Sequence, residues 1–127
     1  MSETSNIQEL VPLLIVQDIV RSMMFYCEGI GFEVVATWEP GGRVAWCRIE
    51  RQGAAIMLQQ ATDEDNPAEL RGNGIALFFI CDDAKRFHAE LLKRSVPATP
   101  PLKVFYGMLQ VFVSDPDGRE LCFESPM

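Results

Sequence analysis

Ser114–Glu124 reads SDPDGRELCFE, and its chemistry is that of a tight turn between two strands. Pro116 presets φ near −65°, Asp115 and Asp117 can accept hydrogen bonds from neighbouring backbone amides, and Gly118 tolerates positive φ. The alternating run before the turn, Met108 to Val113, and the run after it, Leu121 to Phe123, therefore pair as a hairpin. An echo lies 65 residues earlier, where Arg51-Gln52-Gly53 leads into Ala54 to Leu58, so that Gly53 corresponds to Gly118 and Met57 to Cys122. The same offset sets Asp18 on Asp83, each after an apolar run (Val11 to Val16; Ala76 to Cys81) and each before a helix-like segment. The chain reads as two copies of one motif.

Each copy can be followed outward from that correspondence. Val11 to Val16 is apolar on both faces, as for a strand covered on both sides. Asp18 caps a helix that Gly29 or Gly31 ends, with Ile19, Met23, Tyr26 and Ile30 at helical spacing. Val20, Met24, Phe25 and Cys27 widen its apolar surface, so the helix is more buried than usual or meets a partner. Three strands follow, Phe32 to Trp38, Val44 to Ile49 and Ala54 to Gln59, with turns at Pro40-Gly41-Gly42 and Gln52-Gly53. Module one spans about 9–60, the polar stretch 61–73 is the linker, and module two spans about 74–125, the whole forming one domain. In the second copy Asp83 caps a helix carrying Ala84, Phe87 and Leu91, and Lys93 and Arg94 complement its dipole. The proline-rich Val96 to Leu102 can only be an edge strand or irregular, and Val104 to Val113 carries the next strand, bent at Gly107. The order βαβββ thus occurs twice.

Composition narrows the function. With 127 residues and 48% hydrophobic content the chain has enough substance for a core, and no apolar run reaches the roughly 18 residues of a membrane helix. Met1 to Gln8 lacks the pattern of a signal peptide, which points to the cytoplasm. Cys27, Cys47, Cys81 and Cys122 are widely spaced in apolar segments and read as reduced core thiols. Eighteen acids against 11 bases give a net charge of −7, which disfavours nucleic acid and anionic membranes and permits a cationic ligand.

Catalytic chemistry is thinly represented. The single histidine, His88, lies mid-helix among polar neighbours and reads as a surface residue. A serine nucleophile signature is missing, and no histidine is placed to activate a cysteine. Asp115 and Asp117 are explained by the turn they build, which leaves Glu120 and Glu124 in the same hairpin. Gly41-Gly42 and Gly72-Asn73-Gly74 lack the strand-to-helix context of a phosphate loop.

The segments VPLLIVQDIVRSMMFYCEGIGFEV, DDAKRFHAELLKRSV and FYGMLQVFVSDPDGRELCFE together resemble the vicinal oxygen chelate superfamily. Glyoxalases, extradiol dioxygenases, fosfomycin-resistance enzymes and bleomycin-resistance proteins belong to it. The resemblance runs from Val11 to Glu124 and implies an α+β fold, the glyoxalase/bleomycin-resistance fold, in which two βαβββ modules form a curved mixed sheet around a concave cup. It also implies a homodimer, in keeping with the broad apolar helix at Ile19 to Ile30.

The family's enzymes hold a divalent metal at four strand positions, which fall here at Val11, Met57, Ala76 and Cys122. Only Cys122 offers a donor, and shifting the alignment by one residue restores none, so no metal or other cofactor is expected. What remains is an apolar, aromatic cup. Trp38, Trp46 and Met57 from the first module join Phe105, Tyr106, Met108 and Cys122 from the second as its ligand-binding candidates, or else serve as ordinary packing. The resemblance then favours a metal-free binding protein of the bleomycin-resistance kind, sequestering a bulky aromatic compound that its acidity allows to be cationic. The alternatives are a metal-dependent lyase or dioxygenase, and a fold whose dimer surface matters more than its cup.

Overall fold

Two aspartates start the two helices. Asp18 Oδ1 accepts from the Arg21 amide at 3.2 Å and Asp83 Oδ1 from the Arg86 amide at 3.1 Å, each satisfying a donor the helix cannot. The structure, a computed structural model, describes residues 6–72 and 74–127. Helix α1 covers Ile19–Met24 and α2 covers Ala84–Lys93. The first is shorter than its apolar spacing suggests, because Phe25–Gly29 winds as a wider π turn in which the Ile30 amide bonds Phe25 O at 3.1 Å. That extra residue turns Tyr26, Gly29 and Ile30 inward together. A side chain at 29 would meet Val96 Cγ2 at 2.9 Å, and Gly31, with φ of +93°, lets the chain leave.

The strands are β1 (Leu13–Val16), β2 (Glu33–Trp38), β3 (Trp46–Arg51), β4 (Ala54–Gln60), β5 (Leu77–Ile80), β6 (Leu102–Val104), β7 (Met108–Ser114) and β8 (Glu120–Pro126). They form two four-stranded mixed sheets with matching orders, β1-β4-β3-β2 and β5-β8-β7-β6. Both show βαβββ connectivity, with a parallel pair joined across each helix: β1 with β4, β5 with β8. The register repeats as well, since Leu13 lies opposite Met57 and Phe78 opposite Cys122. Of the proline-rich segment 96–102 only Leu102 joins the sheet, in the edge strand β6, and the run 104–113 is not one bent strand, because the Gly107 amide bonds Val104 O at 3.1 Å and turns β6 back on β7; before it, Thr99 donates its amide to Phe112 O at 3.0 Å. The 61–73 stretch contains a short 3-10 turn at Pro67–Glu69 and buries Leu70.

Strand alternation decides what is buried. Leu14, Val16, Cys47, Ile49, Ile56 and Leu58 point inward from the first sheet, Val111, Val113, Leu121 and Phe123 from the second, and all belong to one hydrophobic core. Aromatic rings run through it: Tyr26 to Phe32 and Phe32 to Phe79, each at 6.1 Å between centroids, and Phe79 on Phe123 at 4.8 Å. The four cysteines are free thiols. Among the described residues no helix is long and apolar enough to cross a membrane.

A buried polar knot closes the two halves on each other. Asp115 Oδ1 accepts from the amides of Asp117 and Arg119, both at 2.9 Å, while Oδ2 accepts from Tyr26 Oη at 2.8 Å and Arg119 Nη1 at 3.3 Å. Arg119 also donates to Ile15 O, and Asp117 Oδ1 accepts from the Gln17 amide at 3.3 Å. Burial, and then the nearby Asp115 carboxylate, raise the Tyr26 phenol far above its ordinary value.

Two predictions follow from this knot. Tyr26→Phe should cost about 1–3 kcal/mol, since it strands one bond of a buried carboxylate, whereas Asp115→Ala should cost about 3–5 kcal/mol by leaving Arg119 buried beside fewer acids. Urea titration of the purified variants gives both figures. The raised Tyr26 group stays neutral in the fold, so its stabilising share is complete below pH of about 10 and is lost as pH rises above that, when the unfolded chain's phenol ionises first. Stability of the wild type should therefore fall between pH 9.5 and 11 more steeply than that of Tyr26→Phe, as urea midpoints across that range would reveal.

Candidate functional site

The alternation that fills the core leaves an opposite face on each sheet. On the first, Trp38 and Trp46 are cross-strand partners, Gln59 lies opposite Trp46, and Met57 lies between Leu13 and Arg48. Trp38 ends β2 just before the Pro40–Gly42 turn and is 61% exposed. With Ala45, Gln59, Gln60 and Thr62 the two tryptophans line a hollow of about 410 Å³. Beside it Arg48 is held flat by Glu9 at 2.6 Å and Glu50 at 2.7 Å.

On the second sheet Cys122 lies between Phe78 and Phe112, and one pair further along Glu124 lies between Ile80 and Gln110. Glu124 Oε1 accepts from Gln110 Nε2 at 3.0 Å and from Tyr106 Oη at 3.2 Å, and Gln110 Nε2 also donates to Tyr106 Oη at 2.7 Å. Tyr106 is placed by the turn at Gly107, where φ is +81°, and its ring meets Phe105 edge-on at 5.1 Å. Burial, then the Glu124 carboxylate, push the Cys122 thiol up to about 11, so it is a neutral thiol at physiological pH. The Tyr106 hydroxyl is raised by desolvation and then by its bond to Glu124.

The seven candidates from sequence thus fall into two sets. Trp38, Trp46 and Met57 share the outer face of the first sheet, with the tryptophans lining one hollow. Met108 and Cys122 share the outer face of the second, Tyr106 joins them through Glu124, and Phe105 projects from the turn with 99% exposure. Within one chain the two sets lie on faces turned away from the shared core. A larger cleft, about 710 Å³, opens elsewhere, against Pro12, Ile56, Phe78 and Phe87, and none of the seven lines it. Arg51 spans that cleft, bonding Ile30 O, pairing with Glu90 at 3.0 Å and lying 5.3 Å above the Phe87 ring. His88 is half-buried on α2 and belongs to neither set.

In the sequence Glu124 stands out only as one of the hairpin acids, and Gln110 not at all. The signal existed: the offset that carries Met57 onto Cys122 carries Gln59 onto Glu124, a polar position repeated two residues further along each strand. Reading it required the β7–β8 register, which alone sets Gln110 and Tyr106 around the acid.

The donor set can be compared with what a divalent metal needs. Strand register pairs Met57 with Leu13 and Cys122 with Phe78, and Val11 and Ala76 stand just before their strands. These positions supply one thiol and a thioether, too few hard donors for zinc, iron or manganese. Among the described residues no group of three His, Cys, Asp or Glu side chains is arranged to hold a metal ion.

Comparison with known proteins bears on this arrangement. Among curated proteins none matches. Several solved structures superpose well: TnmS3, an antibiotic binding protein from Streptomyces sp. CB03234 (24% identity, TM-score 0.73, 96% of this chain and 98% of that one), and TioX from Micromonospora sp. ML1 (16%, 0.76, 94% and 99%). A bleomycin resistance determinant encoded on the transposon Tn5 does too (16%, 0.73, 94% and 98%). At these identities the likeness concerns the fold. The model of the Glyoxalase/Bleomycin resistance protein/Dioxygenase superfamily matches residues 7–123, and the chain belongs to that superfamily.

Proposed function

We propose that this protein is a metal-free small-molecule-binding protein that sequesters a bulky aromatic compound, as a relative of bleomycin-resistance proteins. The observation that carries this reading is the Trp38–Trp46 pair, two tryptophans that are cross-strand partners on an outer sheet face and line a hollow, where ordinary packing would turn them inward. The apolar residues at the family's metal positions support it. So do solved structures of the same fold described as an antibiotic binding protein and a bleomycin resistance determinant.

We further infer a homodimer. Trp38, Trp46 and Met57 on one sheet and Tyr106, Met108 and Cys122 on the other face away from each other in one chain, so a closed cup needs the complementary face of a second copy. Val20 and Met24 on the outer side of α1, together with Leu13 and Phe78 on the strands, leave apolar surface exposed for such an association. Four unpaired cysteines support a reducing, cytoplasmic setting.

Tryptophan fluorescence titrated with neutral and cationic planar aromatic compounds, bleomycin included, should show saturable quenching in chelator that added divalent metal leaves unchanged. Trp38→Ala should weaken it about tenfold, or ~1.4 kcal/mol. Quenching that appears only with metal would replace this reading with that of a metal-dependent lyase or dioxygenase. Light scattering at micromolar concentration should give twice the mass of one chain, and a monomeric mass would remove the two-copy cup.

A further inference from the structure

We propose that Glu124 is the recognition group for a positively charged substituent on the aromatic ligand, an inference that rests on the binding reading above. Three acid side chains are buried among the described residues, and Arg119 lies within ion-pair distance of two of them, Asp115 and Asp117, while the third, Glu124, is treated differently. Asp115 has Arg119 at 3.3 Å, whereas Glu124, only 8% exposed, has no cationic partner among the described residues. Taking a carboxylate out of water without a counter-charge is costly, and a fold keeps such a group where something else neutralises it.

The surroundings of Glu124 orient it without neutralising it. Both donors it meets, Gln110 Nε2 and Tyr106 Oη, are uncharged and converge on Oε1. Oε2 has no donor among the described residues, yet it is not one of the atoms sealed from solvent without a partner, as Asp117 Oδ2 is. One oxygen is therefore tied down and the other is reachable.

The apolar groups around the acid suit the rest of such a ligand. Ile80, opposite Glu124 and 70% exposed, Phe78 opposite Cys122, and the Tyr106 ring supply hydrophobic surface on the same face. A planar ring resting there would place an attached ammonium or amidinium against Oε2, and Tyr106 would add its ring quadrupole. With a net charge of −7, the whole chain favours the approach of such a cation.

A matched pair of probes separates charge from shape: 9-aminoacridine, protonated at neutral pH, and acridine, which has the same ring system and is neutral there. Calorimetric titration at pH 7.5 should show the wild type preferring 9-aminoacridine by at least about tenfold, the scale of one charge-assisted bond. Glu124→Gln, which retains a partner for Gln110 and Tyr106, should bring the two probes within about threefold of each other, with acridine affinity little changed. Glu124→Asp should keep a preference for the cation. Equal binding of the probes by the wild type would overturn the assignment with no variant involved, as would a preference that survives in Glu124→Gln. Should the wild type bind neither probe, while neutral aromatic compounds also fail to quench Trp38 and Trp46, the binding reading falls and this inference with it. Quenching by other aromatics without any cation preference would leave the binding reading and remove only Glu124.

Discussion

Much of this structure depends on one carboxylate. Asp115 accepts four hydrogen bonds, two from the turn it begins and two from side chains that belong to different halves of the chain. The same atoms therefore close the β7–β8 hairpin and bind it to α1. Neutral hydrogen bonds contribute about 1 kcal/mol apiece, but a fully satisfied buried network is cooperative in the sense that each donor fixes the geometry the others need. Arg119 extends it to Ile15 O at the end of β1, and lies 3.5 Å from Asp117 Oδ2. That last contact is an ion pair without a hydrogen bond, and it leaves Oδ2 the one sealed oxygen lacking a donor among the described residues. The knot has two acids to one arginine, which is why a neutral phenol, held neutral by burial, is the fitting fourth member.

The second attachment between the halves is of another kind. The rings from Tyr26 through Phe32, Phe79 and Phe123 to Phe87 contact one another across the core, and Arg51 covers the far end by sitting over Phe87 while pairing with Glu90. Dispersion and area burial act there without directionality, so the ladder supplies bulk cohesion and the Asp115 knot supplies register. The outer faces of both sheets then lie outside that core. The faces that carry Trp38 and Glu124 are free because the inward faces already satisfy each other.

How far the sequence speaks depends on the range of the interaction. Asp18, Asp83 and the Asp-Pro-Asp-Gly turn act within a few residues of themselves, and each does in the structure what its chemistry dictates. The duplicated βαβββ order was legible because a repeat shows itself in spacing alone. The end of α1 was not: apolar residues at 19, 23, 26 and 30 fit an α-helix, and nothing local shows that the Ile30 amide reaches back five residues to Phe25. Site residues fared similarly. Alternation sets Trp38, Trp46 and Met57 on the outer face of one sheet and Met108 with Cys122 on that of the other, but which sheet faces which is a property of the core and is not written in local spacing. Glu124 looked like one more acid of a charged hairpin until register set Gln110 across from it.

The position of that acid follows from strand alternation. Glu124 lies two residues beyond Cys122 on the same face of β8, about 7 Å away at strand spacing. There it is buried, oriented by the neutral donors Gln110 and Tyr106, and without a cationic partner among the described residues. The strand period of two keeps it on the outer face with Cys122. An acid held in this way differs from Asp115, whose charge Arg119 answers within the chain at 3.3 Å.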